Sequence, residues 1–262
     1  MNESLSRLYV STSALGPVAS RKGHAVKKSR YVKTLILSVL ISATSFVQAE
    51  CVILLHGLAR SENSMKKLEK ALSRELYAVQ NVGYESRRFP LEQLAEMAIA
   101  PALDKCGKQK VNFVTHSMGG ILVRQYLKKH KVEQLKRVVM LGPPNAGSEV
   151  IDRLGKFPGF HFFNGDAGLQ LGTGEVSVPN TLGRVDFDLG IIAGNRSINL
   201  ILSSIIPGED DGKVSVERTK VEGMNDHLIL PVTHTFMMSN ARVIQQVLAY
   251  LKTGNFVPSS KK

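Results

Sequence analysis

The sequence predicts an α/β fold, a mostly parallel sheet of about six strands with helices on both faces. Three observations predict it. Short runs rich in Val, Ile and Leu alternate with longer runs whose apolar residues recur at helical spacing. A length of 262 residues, 43% apolar and 21% charged, suits one domain with a sizeable core. No internal repeat and no linker divides the chain after residue 50.

Element by element, Cys51–Leu55 reads as a strand, followed by Met65, Leu68, Leu72 and Leu76 as one helical stripe. Tyr77–Tyr84 reads as the next strand. Leu91, Leu94, Ala95, Ala98, Ile99 and Ala102 form a second stripe, in which Pro101 predicts a kink or a late end. Val111–Val114 is a strand and Gly119–Lys129 a helix. Leu135–Leu141, Leu189–Ala193 and His227–Val232 complete the strands. Val243, Ile244, Val247, Leu248 and Leu251 close the chain as an amphipathic helix.

One stretch breaks the pattern. Ile151–Arg184 is rich in Gly and Phe, with no steady period and four phenylalanines between residues 157 and 163. It falls between two predicted strands, where it can form a cap whose Phe160, Phe162 and Phe163 contact substrate, or a connection that only completes the core.

The first 49 residues form a separate unit. A basic run, Lys27 to Lys33, precedes an uncharged stretch from Thr34 to Val47, and Val47-Gln48-Ala49 supplies a cleavage site before Glu50. This is the layout of a secretory signal, with an uncleaved anchor as the alternative. The expected division is therefore 1–49, extension and signal, and 50–262, one domain with a candidate cap at 151–184; the mature chain is periplasmic or secreted. Residues 1–49 carry seven Lys/Arg and one acid, half of the net charge of +12. What remains is mildly basic, has no tryptophan and shows no basic-aromatic ladder, which argues against a nucleic-acid partner and leaves peripheral contact with an anionic membrane.

The two cysteines fit export. Cys51 opens the first strand and Cys106 precedes the strand at Val111. If those strands are neighbours in a parallel sheet, both cysteines lie at its amino-terminal edge and can pair, with two buried thiols as the alternative.

Thr115-His116-Ser117-Met118-Gly119 follows a strand and precedes a helix. A serine at such a turn presents its Oγ outside the sheet, next to the helix N-terminus where negative charge is stabilised. The plainer alternative is a helix cap. A serine nucleophile needs a base, and the base needs an acid to orient it. His234 follows the last predicted strand; its rival, His227, sits at the start of that strand. Asp211, in Glu209-Asp210-Asp211-Gly212, is the favoured acid, with Asp210 and Glu209 as rivals. The loop His56-Gly57-Leu58-Ala59-Arg60 is placed to give a second N–H beside that of Met118, so Leu58 and Met118 are the expected oxyanion donors. His56 is read as a brace for that loop. Arg60 is open between orienting an anionic substrate and a surface role. No H-E-x-x-H spacing points to a metal, and no cofactor is expected.

With these residues placed, the chain resembles the α/β-hydrolase superfamily, and in particular small bacterial lipase/esterase-like members. The resemblance rests on Leu54-Leu55-His56-Gly57-Leu58, Val114 to Gly120, Met140 to Ser148, Asp210 to Val214 and His234-Thr235-Phe236. It implies Ser117 as nucleophile, Asp211 as acid and His234 as base, in the superfamily's chain order. It implies an acyl-enzyme on Ser117 and a small carboxylic ester or lipid as substrate. An acyltransferase with the same triad, and an exported binding protein that does not catalyse, are the alternatives. Two departures stand out: Thr115 replaces the usual glycine, and the superfamily's first two strands are missing.

Overall fold

A computed structural model describes residues 49–157 and 159–257, the side chains of residues 160–163 excepted. The expected signal therefore lies outside the described residues, apart from Ala49. Among the described residues no helix is long and apolar enough to cross a membrane.

Strand β1 (Cys51–Leu55) is buried along its length and leads through a 3-10 turn into α1 (Lys66–Arg74). Then come β2 (Ala78–Val82), α2 (Leu91–Cys106), β3 (Val111–His116), α3 (Met118–Lys129) and β4 (Leu135–Leu141). Short helices α4 (Glu149–Leu154), α5 (Phe160–Leu169) and α6 (Val178–Thr181) occupy the irregular stretch. After β5 (Leu189–Gly194) the chain forms α7 (Leu200–Ser203), α8 (Val216–Thr219), β6 (Asp226–Leu230) and the closing α9 (Ala241–Thr253).

The six strands make one sheet in the order β2-β1-β3-β4-β5-β6, every neighbouring pair parallel. Alternate residues of β1 serve opposite cores, as the two-residue period of a strand requires. Cys51, Ile53 and Leu55 pack with α2 and α3, while Val52 and Leu54 pack with α1 and α9. A sheet covered on both faces explains the apolar runs seen in the sequence.

Two expectations need correction. Leu76 is not part of the first helix: α1 ends at Arg74, and Leu76, 81% exposed, adopts φ 66° as the chain reverses into β2. The second strand spans Ala78–Val82 rather than Tyr77–Tyr84. Pro101 lies inside α2, which ends at Cys106. Pro101 lies on the exposed side, where water can satisfy the carbonyl that loses its N–H partner.

Cys51 and Cys106 are bonded, with Cα atoms 5.7 Å apart. The bridge ties the amino end of β1 to the carboxyl end of α2, on the edge opposite the strand ends described next.

Candidate active site

The carboxyl ends of β1, β3, β4 and β5 converge, and each continues into a loop that carries a polar side chain. Ser117 stands between β3 and α3 with φ 55° and ψ −124°, a conformation L-residues rarely hold. Two features impose it. The Ser117 N–H donates to the carbonyl of Leu141 at 2.8 Å, which ties the turn to β4. Gly119 then lets α3 press against β1: a Cβ there would sit 2.6 Å from the Leu55 carbonyl oxygen. Thr115, the departure from the usual pattern, lies within β3 as ordinary strand, fully buried, so its side chain fits without distorting the turn.

His234, in the loop after β6, faces Ser117 with Nε2 3.0 Å from Oγ. Its Nδ1 is 2.7 Å from Asp211 Oδ2. A carboxylate can only accept, so Nδ1 carries the proton and Nε2 is left to accept from the Ser117 hydroxyl. The other Asp211 oxygen, Oδ1, accepts from the N–H groups of Lys213 and Val214 at 3.0 and 2.9 Å. The His234 N–H also donates to the Asp211 carbonyl at 2.9 Å.

The rivals point elsewhere. Asp210 Oδ1 accepts from the Gly212 N–H at 2.6 Å and Oδ2 from the Ser203 hydroxyl, so Asp210 braces the turn that aims its neighbour. Glu209 is exposed near Asn195. His227 Nε2 lies 2.8 Å from Thr219 Oγ1, away from Ser117. His56 stacks on Tyr84 with ring centroids 4.0 Å apart, and its carbonyl accepts from the Tyr84 hydroxyl, which fixes the start of the 56–60 loop. Among the described residues, no acceptor is in reach of the backbone N–H of Leu58 or Met118.

Two participants escape sequence reasoning. His116, buried beside Ser117, donates from Nε2 to the His234 carbonyl at 2.9 Å and so ties the elbow to the histidine loop. Gly142, at φ 53° after β4, leaves room for the acid and the histidine: a Cβ there would meet Asp211 Oδ2 at 2.9 Å and His234 Nδ1 at 3.2 Å. A strand-end glycine was the only signal available. Arg124 is a further buried polar anchor. It reaches the carbonyls of Asn145 and Gly183 at 2.9 and 2.6 Å, and desolvation brings its guanidinium down to about 10.

Burial holds His116 well below the ordinary histidine value of 6.5, and the neighbouring His234 and Arg60 push the same way. The unfolded chain therefore takes up a proton before the folded one does as pH falls. The stability that neutral His116 contributes is complete above the unfolded value near 6.5 and is lost below it. His56 and His227, lowered chiefly by burial, act in the same direction. Urea unfolding should give a smaller free energy at pH 5.5 than at 7.5, and His116→Gln should flatten that slope. An unchanged slope in the variant would assign the pH dependence to other groups.

Ser117 and His234 open onto a cavity of about 210 Å³. Leu58, Val150, Ile151, Leu154, Leu171 and Leu202 supply its apolar lining. From the irregular stretch, Ile151, Leu154 and Leu171 line the cavity, and Ala167 and Leu171 belong to the core. The side chains of Phe160, Phe162 and Phe163 lie outside the described residues.

A family model described as alpha/beta hydrolase fold matches residues 50–168, from β1 through the elbow and most of α5. The chain has the α/β-hydrolase fold. No curated protein matches the sequence. Among solved structures, this α/β-hydrolase-fold chain is similar to the lipase BlEst2 of Bacillus licheniformis. In the mature form the TM-score is 0.60 at 16% identity, covering 80% of this chain and 93% of that one. In the propeptide form it is 0.62 at 16% identity, covering 82% of this chain but only 52% of that one. A thermophilic esterase from Thermogutta terrifontis gives 0.51 at 14% identity, with 79% and 91% covered. The family match ends before Asp211 and His234.

Proposed function

We propose that this α/β-hydrolase-fold protein is a serine hydrolase that cleaves carboxylic esters through an acyl-enzyme on Ser117. The observation that carries the proposal is the continuous chain Ser117 Oγ–His234 Nε2 and His234 Nδ1–Asp211 Oδ2, at 3.0 and 2.7 Å. His234 accepts the Ser117 proton as Oγ attacks the ester carbonyl, and the carboxylate of Asp211 stabilises the imidazolium that forms. The tetrahedral oxyanion is held by the N–H groups of Leu58 and Met118, neither committed to a protein acceptor. His234 then protonates the leaving alcohol, and water, activated by the same imidazole, releases the acid. The lipase and esterase neighbours support the reaction class. The cavity is below the roughly 300–1,000 Å³ usual for drug-sized ligands, which favours short acyl groups.

Export belongs to the same reading. The Cys51–Cys106 bridge supports it, since disulfides persist in oxidising compartments.

A fluorophosphonate probe, which labels only activated serines, together with nitrophenyl esters of graded acyl length, tests the proposal. Labelling at Ser117 and a preference for short chains are expected; a folded protein that neither labels nor turns over any ester would refute it. Asp211→Asn and Asp210→Asn separate the two neighbouring acids. Asp211→Asn should lower kcat by about 10⁴-fold, because the amide no longer enforces the productive imidazole tautomer. Asp210→Asn should cost stability and far less of the rate. Equal kinetic losses would overturn the assignment.

A further inference from the structure

The site holds two cations that the ester chemistry above does not use. Arg60, at the end of the oxyanion loop, and Lys213, two residues after the acid, line the same cavity as Ser117 and His234. No Asp or Glu among the described residues lines that cavity. Among the described residues, neither side chain has an ion-pair or hydrogen-bond partner. Arg60 is part-buried and Lys213 is an exposed residue. Two other part-buried arginines are matched: Arg137 pairs with Asp188 and Arg218 with Glu149.

Both cations stand on anchored backbone. The Ala59 N–H donates to Ser86 Oγ at 3.0 Å, next to Arg60. The Lys213 carbonyl accepts from Ser148 Oγ at 2.7 Å, and its N–H binds Asp211. Holding two like charges at one cavity is unfavourable where the neighbouring carboxylate, Asp211, is committed to His234 and to the Lys213 and Val214 N–H groups, and a bound anion reverses the sign of that interaction. The Lys213 ammonium is already lowered, chiefly by desolvation and then by the charge of Arg60, while Asp211 opposes the shift.

We infer that Arg60 and Lys213 form an anion subsite, and that the preferred substrate is an ester whose alcohol portion carries a phosphate or carboxylate group. The inference rests on Ser117 being the nucleophile, and it specifies the substrate that nucleophile receives. The apolar lining supplied by Val150, Ile151 and Leu154 suits the acyl group, which leaves the charged group to the alcohol. Space for it exists, because Arg60 also lines an adjoining groove of about 550 Å³ beside Tyr84, Ser86 and Glu85, whose carboxylate is paired with Arg88. A guanidinium binds either oxyanion through paired N–H donors, and an ammonium adds a compact charge.

Three butyrate esters test the subsite: those of 2-hydroxyethyl phosphate, 3-hydroxypropanoate and 2-methoxyethanol. The phosphate and carboxylate esters should show kcat/KM about tenfold or more above the neutral one, a gap that shrinks as salt rises. Arg60→Gln and Lys213→Gln should each lower the charged-to-neutral ratio several-fold. The order of the two charged esters tells which anion the site fits. Equal rates for charged and neutral esters, or a ratio unmoved in both variants, would overturn the subsite while leaving the hydrolase reading intact. Titration calorimetry of the Ser117→Ala protein with the same three esters separates the opposite case. Selective binding of the charged esters, with no turnover by the wild type, would keep the subsite and refute ester hydrolysis. Binding without selectivity would refute the subsite independently of catalysis.

Discussion

Ser117→Ala is expected to lower kcat for any ester substrate by at least about 10⁴-fold and to abolish fluorophosphonate labelling, with the fold intact. The size of the loss follows from where Oγ sits. Among the described residues it is the only nucleophilic atom that His234 Nε2 contacts, at 3.0 Å, and the imidazole is already committed to Asp211 on its other side. Removing Oγ removes the covalent route, and the neighbouring hydroxyls are held elsewhere: Thr115 is buried inside β3, and Ser148, which also lines the cavity, donates to the Lys213 carbonyl. The fold should survive because the turn is held by backbone, through the Ser117 N–H to Leu141 and the close approach of Gly119 to Leu55.

A companion variant separates loss of chemistry from loss of structure. Ser117 holds φ 55° and ψ −124°, a region open to glycine and costing other residues about 1–3 kcal/mol. Alanine keeps that strain and glycine releases it. Ser117→Gly should therefore be as inactive as Ser117→Ala yet unfold at a higher urea concentration. An alanine variant that still turns over esters would end the assignment of Ser117 as nucleophile. A glycine variant no more stable than alanine would show that the elbow stores no strain.

What the sequence revealed depends on the range of the interactions involved. β1, β3 and β4 were legible because a strand covered on both faces is mostly apolar, and Val, Ile, Leu and Phe supply that locally even with Asn112 in β3 and Lys136 and Arg137 in β4. The loops of Ser117 and His234 were legible because each closely follows a strand and inherits its placement from the sheet; Asp211 lies well beyond the end of β5, past α7, and was legible from the Asp-Gly turn instead. The first helix was overextended because Leu76 falls at helical spacing by coincidence; the left-handed turn there has no periodic signature. The helices of residues 149–219 were missed because a helix of four to ten residues takes its stability from tertiary contacts rather than from its own sequence. His116 and Gly142 were missed for a related reason. His116 is defined by a carbonyl 118 residues away, and Gly142 by side chains from two later loops. Nothing in their local sequence distinguishes such residues from ordinary ones.

Replacing both cysteines, Cys51→Ala with Cys106→Ala, should remove about 4 kcal/mol of stability, or about 10 °C in Tm, without lowering kcat/KM at moderate temperature. The bridge spans 55 residues of sequence, and an unfolded chain without it regains the entropy of that loop. The loop contains β2, all of α2 and the oxyanion segment, so its closure constrains the first quarter of the domain before any packing forms. Both sulfurs are buried, at 0% and 3% exposure, so alanine leaves small apolar gaps and no stranded hydroxyl, which makes it a better replacement than serine. The kinetics should be spared because Cys51 starts β1 and Leu55 ends it: the bridge and the oxyanion loop stand at opposite ends of a strand about 16 Å long. Reducing the wild-type bridge with dithiothreitol should reproduce the variant's unfolding curve, since both treatments act on the same unfolded ensemble. A loss below about 1 kcal/mol would mean that β1 and α2 stay associated in the unfolded chain, so that the bridge restrains little entropy. A fall in kcat/KM with stability unchanged would mean that the amino end of β1 is coupled to the site at its other end.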